Sequence, residues 1–312
     1  MGRAQAELIE DRGDGAAGPE FFRSAPFHGA EGATHTLRVD SEDRRASMAV
    51  IVREVPGADL RDASSVYGYP GASVEGQGSP PAPEEVDWSE TGIVSLFARE
   101  RLGGPRFLNG AGERGRVVIH RPDRPRAVRR RLTEQIRQGA RQGYAVEVAS
   151  GPESGEDARA AFLGAYSETM RATGATERYL FDRSYIDSVL EFERSWLLLA
   201  RSSAGESAAA GIAAASDGYL HYFLGGTADD ARADSPFKGV VARMLDLADD
   251  LDMPLNLGGG VAPGDGLERF KRGFGNAEES FVTQEVVCAE AAYAELTGGR
   301  DASGFFPAYR AP

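Results

Sequence analysis

Residues 255–276 read LNLGGGVAPGDGLERFKRGFGN. Three kinds of chemistry stand open on these letters. Glycine-rich turns present backbone N–H groups and often cradle phosphate. A Gly-Asp-Gly step also suits a plain hairpin turn. A cation set among aromatics, here Lys271 beside Phe270 and Phe274, can stabilise a developing oxyanion. The lysine itself is unusual, because Lys238 and Lys271 are the only two lysines among 35 basic residues. The Arg-rich, Ala- and Gly-rich background reads as the bias of a GC-rich genome. In it a compact ammonium marks a place where a planar guanidinium would serve less well. Asp265 is a conceivable base, but turn chemistry accounts for it. His221 alternates with Tyr222 in an apolar run and reads as a satisfied sheet residue. Cys288 reads as a buried strand residue. No Ser-His-Asp order and no Cys-His pair is present.

The elements that must position these residues follow from periodicity. THTLRV (34–39) and ASMAVIVREV (46–55) read as paired strands, and VYGYPGASVEGQGSPPAP (66–83) as an irregular aromatic-Gly-Pro loop. GIVSLFARERL fits strand or helix, and GRVVIHR (115–121) fits a strand. Val128, Leu132, Ile136 and Ala140 form one stripe, which predicts a helix over about 126–141. YAVEVAS (144–150) is the next strand, and GPESGED (151–157) reads as a boundary. Two helices follow, the first ending near Gly174. Three strands come next, SWLLLARS (195–202), SAAAGIAAAS (207–216) and GYLHYFLGG (218–226). In SPFKGVVARMLDLADDLDM, Ser235 suits an N-cap and Pro236 suits N1 of a helix with an apolar face. The strand PLNLGG and the strand ESFVTQEVVC bracket the glycine stretch. The first half repeats this order weakly, so a duplicated α+β fold is expected.

Bulk properties exclude several classes. No run approaches the roughly 18 apolar residues of a membrane span, and the N-terminal letters lack a signal peptide's apolar stretch. One cysteine excludes disulfides within the chain, and the four histidines never show metal-ligand spacing. A cytoplasmic protein without a metal is expected. A net charge of −13 argues against general nucleic-acid affinity. Residues 121–143 depart from that balance, with eight arginines against Asp123 and Glu134. They form either a solvated helix face or a local anion-binding surface.

The order helix, helix, three-stranded meander, helix, strand, glycine loop, strand resembles the GNAT acyltransferase fold. YSETMRATGATERYLFDRSYI (166–186), YLHYFLGGT (219–227), SPFKGVVARMLDLADDLDMPLNLGG (235–259) and GDGLERFKRGFG (264–275) narrow the likeness. They resemble the FemABX-like aminoacyl-tRNA-dependent transferases, and VYGYPGA (66–72) is similar to that family's Tyr-Gly-Tyr loop. The likeness covers most of residues 34–290, and Gly-Leu-x-x-Phe-Lys-x-Gly-Phe is its most specific string. It implies tandem GNAT-like domains, with mixed central sheets flanked by helices and a cleft between the domains. The expected organisation is a flexible leader (1–32), an N-terminal domain (33–150), a C-terminal domain (151–290) and a tail (291–312) that could return to the first domain.

The resemblance also implies an activity: transfer of an amino acid from aminoacyl-tRNA to an amine, forming an amide. Acceptors in the family include peptidoglycan precursors, natural-product intermediates and proteins. The chain lacks the long helical hairpin that some cell-wall members insert, which favours a small soluble acceptor. Phe270 and Lys271 match the family's catalytic Phe-Lys pair. Tyr67, Tyr69, Arg171, Arg178 and Tyr179 are the candidate substrate-binding residues. Arg129 and Arg130, together with Lys271, are the candidates for tRNA. No cofactor is needed beyond aminoacyl-tRNA as co-substrate, and a monomer is expected.

This reaction suits the residues. Aminolysis of an activated ester requires no enzyme nucleophile, only positioning, oxyanion stabilisation and proton removal; positioning alone supplies roughly 7–11 kcal/mol. The alternative is a CoA-dependent N-acyltransferase on the same fold. That chemistry places a pyrophosphate on a loop with the pattern Arg/Gln-x-x-Gly-x-Gly/Ala. The equivalent loop, GGTADDARADSP (225–236), lacks the pattern and carries Asp229, Asp230 and Asp234. RGDGAA (12–17) and RGFGNA (272–277) match it as text but fall elsewhere. An inert binding module is a third reading, against which the Phe270–Lys271 pair stands.

Overall fold

The computed structural model describes residues 3–262, 264–299 and 304–311. The chain divides into two compact units. One comprises residues up to Arg114 together with those from Ser280 onward, and the other comprises Gly115–Glu279.

The first unit is mainly a mixed sheet. Strand β1 (Ala4–Ile9) pairs antiparallel with β2 (His35–Ser41), β2 with β3 (Arg44–Glu54), and β3 with β4 (Arg61–Ser65). Strand β5 (Ser73–Gly76) pairs with the start of β3, β6 (Val86–Asp87) runs parallel to β1, and β7 (Ile93–Arg99) runs parallel to β4. Residues 283–287 pair antiparallel with β7. The core comes from the inward positions Leu37, Val39, Met48, Val50 and Leu96, as period-two alternation requires. GIVSLFARERL is thus a strand. The 66–83 loop contains β5, because the start of β3 offers Ser73–Gly76 a free edge.

A flexible leader over 1–32 is not what the described part of that segment forms. Ala4 and Ala6 are buried while Gln5 and Glu7 face outward, so β1 is a genuine half-buried strand. Phe21, Phe22 and Phe27 pack on one another with ring centroids 4.7–5.5 Å apart, beside helix α1 (Ala25–Ala30). The acidic composition hid this alternation. The tail also lies with this unit. Tyr309 and Arg310 both bond the buried carboxylate of Asp62, which Arg53 also pairs.

The second unit begins with β8 (Gly112–His120), followed by helix α2 (Arg130–Arg141) and β9 (Ala145–Ser150). The boundary expected at 150/151 therefore moves, because β9 pairs along its whole length with β10 (Ser195–Arg201). Helices α3 (Glu156–Thr173) and α4 (Arg183–Leu190) precede β10. Then come β11 (Ser207–Ser216), β12 (Tyr219–Thr227), α5 (Phe237–Asp250), β13 (Leu255–Gly258), α6 (Gly266–Lys271) and β14 (Ala277–Val287). Helix α7 (Glu290–Thr297) belongs to the first unit.

Strands β9 to β12 form an antiparallel meander, β12 and β13 are parallel, and β13 is antiparallel to β8. Strand β11 is buried on both faces, and its small residues admit α3 on one side and α5 on the other. A Cβ at Gly211 would sit 2.6 Å from Met244, and one at Gly226 only 2.4 Å from the Ala165 backbone.

Two helix starts differ from expectation. Helix α2 begins at Arg130, because Arg126 is drawn to Asp246 and Asp249 of α5 and the Arg129 amide bonds the Gly273 carbonyl. Ser235 adopts φ +57° and Pro236 is the N-cap of α5, without a side-chain cap bond. No described helix is long and apolar enough to cross a membrane.

Candidate active site

Parallel strands β12 and β13 are bridged at only two register positions, Leu220↔Leu255 and His221↔Asn256. Beyond them β12 runs on to Thr227, whereas β13 ends at Gly258. The two strands thus part at their C-terminal ends, the usual location of ligands in parallel sheets. A bulge in β12 makes Phe223 the extra residue opposite the Ile212/Ala213 step, immediately after Tyr222. Bulges of this kind re-aim side chains beside functional sites.

Lys271, the last residue of α6, places its ammonium at this gap. Its Nζ donates to the Gly259 carbonyl at 2.8 Å and stands 5.6 Å from the Tyr222 ring centroid. Burial pushes its pKa down to about 8, an effect that the carboxylate of Asp265 opposes. Phe270 meets Phe274 edge-on at 5.2 Å and lies 6.5 Å from Phe237, which in turn contacts Tyr222 at 5.6 Å. The result is a half-buried cation on an aromatic wall.

The glycine stretch is not a phosphate cradle. Asp265 is the N-cap of α6. Its carboxylate accepts from the amides of Glu268 at 2.7 Å, Val261 at 2.7 Å and Ala262 at 3.0 Å. Those bonds, the one from Glu268 foremost, hold its pKa below the usual carboxylate range. The Gly264 amide is taken by the Glu268 carboxylate. Gly273 and Gly275 serve close packing. A Cβ there would meet Leu132 at 2.4 Å and Val118 at 2.2 Å. The second textual match, RGDGAA, is likewise filled from within, because Asp11 accepts from the amides of Gly13 and Gly15 at 2.9 and 2.8 Å.

Of the other expected site residues, only Arg129 is tied, among the described residues, to the turn that carries Lys271. Arg129, at the N-cap of α2, is tied to the α6 turn through Gly273 and, at 3.5 Å, through the Arg269 carbonyl. Arg130 is exposed and pairs with Glu134 one turn on. Arg171, in the last turn of α3, forms a 3.8 Å ion pair with Asp229 in the loop after β12. Arg178 and Tyr179 lie in a 3-10 turn anchored by the Tyr166 hydroxyl, which donates to the Tyr179 carbonyl at 2.8 Å. Tyr67 and Tyr69 belong to the other unit. There the Arg99 guanidinium lies over Tyr67 at 5.8 Å, and Tyr69 packs edge-on against Phe22 and Phe281.

Sequence reading missed Tyr222, Phe237 and Asn256. The one available signal was a lone Asn inside the apolar strand PLNLGG. Asn256 is 1% exposed. It bonds His221, which burial keeps neutral with its pKa pushed down to about 4. The unfolded chain protonates this imidazole near its ordinary 6.5, whereas the native state resists until about pH 4. Its contribution is therefore complete above pH 6.5 and lost as pH falls toward 4, amounting to about 3 kcal/mol. Urea unfolding at pH 7 and pH 4.5 should show this loss, and His221→Gln should reduce it.

Residues 126–272 match the family model described as Acetyltransferase (GNAT) domain. No curated protein matches in sequence. Among solved structures, FemX is similar over 83% of this chain and 89% of its own, with a TM-score of 0.57 and 11% identity. The C-terminal domain of a protein described as a lysylphosphatidylglycerol synthetase, from Agrobacterium fabrum, is similar over 87% and 89%, with a TM-score of 0.58 and 14% identity. L-PGS from Bacillus licheniformis is similar over 83% and 86%, with a TM-score of 0.54 and 9% identity. Residues 126–272 thus match a GNAT domain model, and the chain has a GNAT-type fold similar to that of FemX.

Proposed function

We propose that the protein is an aminoacyltransferase that moves an amino acid from aminoacyl-tRNA to the amine of a small-molecule or peptide acceptor. The observation that carries this reading is Lys271. A half-buried ammonium stands where the parallel strands part, and its one hydrogen-bond partner among the described residues is a carbonyl. A cation so placed is suited to the oxyanion that forms when an amine attacks an ester, or to the terminal nucleotide of the donor. The FemX-like fold supports the same reading. Phe270, with Phe237 and Tyr222, supplies aromatic surface for that nucleotide or for the aminoacyl group. Arg171, Arg178 and Tyr179 are suited to an anionic acceptor, and Tyr67 and Tyr69 are candidates for substrate contact.

The rival CoA-dependent reaction finds less support. The loop between β12 and α5 carries Asp229, Asp230 and Asp234, and the N-cap of α5 is a proline, which has no N–H to offer a pyrophosphate. A natural-product acceptor is proposed ahead of a lipid-linked cell-wall precursor. The test combines purified protein with total tRNA, synthetases, labelled amino acids and cell extract. Product that RNase abolishes is expected; product that ignores RNase but requires acetyl-CoA overturns the reading. Calorimetry with CoA gives a quicker discrimination, and no heat of binding is expected.

The tRNA surface is assigned to α2 and its approach. Arg129, Arg131, Arg137 and Arg141 are exposed, and none has a carboxylate partner among the described residues. Each phosphate contact contributes roughly 0.7–0.9 to the salt slope of binding. Arg129→Ala should therefore weaken tRNA binding for every sequence alike and flatten the log–log salt plot by about that amount. An unchanged slope removes Arg129 from the surface.

A further inference from the structure

The ammonium of Lys271 is only as well placed as the carbonyl that holds it. That carbonyl belongs to Gly259, just past the end of β13, where the chain leaves the sheet. Gly258 there takes the left-handed conformation, with φ +78°, and a Cβ on it would sit 3.0 Å from Nζ. The register of β13 against β8 also shifts between Asn256 and Gly258. Neither an apolar strand nor its ladder dictates such a turn, so something else must fix it.

The Asn256 side chain does so. Its Oδ1 accepts from the Gly258 amide at 2.8 Å, which orients the carboxamide because an N–H can only meet the oxygen. The NH2 group then faces His221 Nδ1 at 3.1 Å. That nitrogen must be the acceptor, so the imidazole proton lies on Nε2, which donates to the Ser216 carbonyl at 3.3 Å. Asn256 and His221 are 1% and 3% exposed. A buried chain of hydrogen bonds therefore runs from the end of β11 through β12 and β13 to the turn that receives the lysine.

We infer that Asn256 and His221 are positioning residues that set the Gly258–Gly259 turn and thereby hold the ammonium of Lys271 at the gap between β12 and β13. The functional weight of this inference rests on Lys271 being the working cation proposed above, but the positioning itself is independent of that reading. Polar groups so deep in a sheet are costly unless every partner is made. Here each bond leads toward the lysine.

The lysine-poor composition makes the test direct. Chain labelled with 13Cε-lysine gives two signals, from Lys238 and Lys271, each followed through a pH titration by NMR. In the parent protein one signal titrates near 8, as burial requires of Lys271. In Asn256→Ala that midpoint should move toward the ordinary 10.5 as the ammonium swings to solvent, with the Lys238 signal unchanged. Asn256→Ser keeps a side-chain oxygen, one bond closer to the backbone. It should show an intermediate shift, and it serves if the alanine variant does not fold. An unaltered Lys271 midpoint in either folded variant overturns the inference, and so does movement of both lysine signals together. If Asn256→Ala shifts the midpoint but the protein shows no RNase-sensitive transfer, positioning stands and the proposed function falls.

Discussion

Lys271→Ala should lower the rate of the proposed aminoacyl transfer by about 10- to 100-fold while leaving the fold intact. The magnitude follows from the loss of one charge-assisted contact in a partly desolvated site, about 1.5–3 kcal/mol. The fold should survive because Lys271 ends a short helix and its Nζ contributes one hydrogen bond, to Gly259. The effect should fall on kcat more than on KM if the ammonium meets charge that exists only in the transition state. The pH profile tells the role of the group. With a pKa near 8, a cation required for the reaction predicts kcat/KM falling as pH rises through 8. A rate that instead climbs through that range, and does so only while Lys271 is present, identifies it as the base. Lys271→Arg keeps charge at high pH but brings a longer planar fork against Tyr222 and Gly258, so it should restore activity poorly. Full turnover in Lys271→Ala removes the residue from the mechanism.

Asp62→Ala should destabilise the first unit by about 2–3 kcal/mol. Asp62 is fully buried at the end of a chain of contacts that closes over it. Arg53 pairs one carboxylate oxygen at 3.0 Å, while the Tyr309 hydroxyl at 3.2 Å and the Arg310 guanidinium share the other. Tyr309 also exchanges a 2.7 Å hydrogen bond with Ser95 on β7. Removing the carboxylate strands two guanidinium groups and a phenol at once. Because Arg53 and Arg310 keep 40% and 21% of their side-chain surface exposed, water recovers part of the loss, which sets the estimate below that of a sealed pair. Urea unfolding monitored in the variant checks the figure. Truncation before Tyr309 should give a smaller loss, since it removes two of the three contacts and leaves the Arg53 pair. Stability equal to the parent in both variants would mean that the tail contributes nothing to this unit.

Much of the second unit is legible in its letters, because its signals are local. The stripe Val240, Val241, Met244, Leu247, Ala248 and Leu251 announces α5, although Leu245 takes a buried place there and Leu251 stays exposed, and Gly174 in the left-handed conformation closes α3 where the sequence places it. Asp265 as a turn and cap residue follows from Gly-Asp-Gly. The Phe270–Lys271 string stood out through its rarity in an arginine-rich chain. What failed to show was non-local. Residues 4–9 look like an acidic leader until β2 provides the partner that makes their weak alternation meaningful. The domain boundary was drawn at a loop, GPESGED, although β9 before it is stapled to β10 after it.

The same division holds for the site. Sequence alone suggested the reaction class to consider and the pair of residues to examine, both through the family resemblance that its strings carry. Tertiary structure alone decided that the glycines are filled by Asp265 and Glu268 instead of standing open to phosphate. It also placed the lysine beside Tyr222, and it put the control of that lysine in Asn256 and His221, 35 residues apart in the chain and directly opposite each other in the sheet. Hydrogen bonds and desolvation act through space, and a string of letters records only distance along the chain.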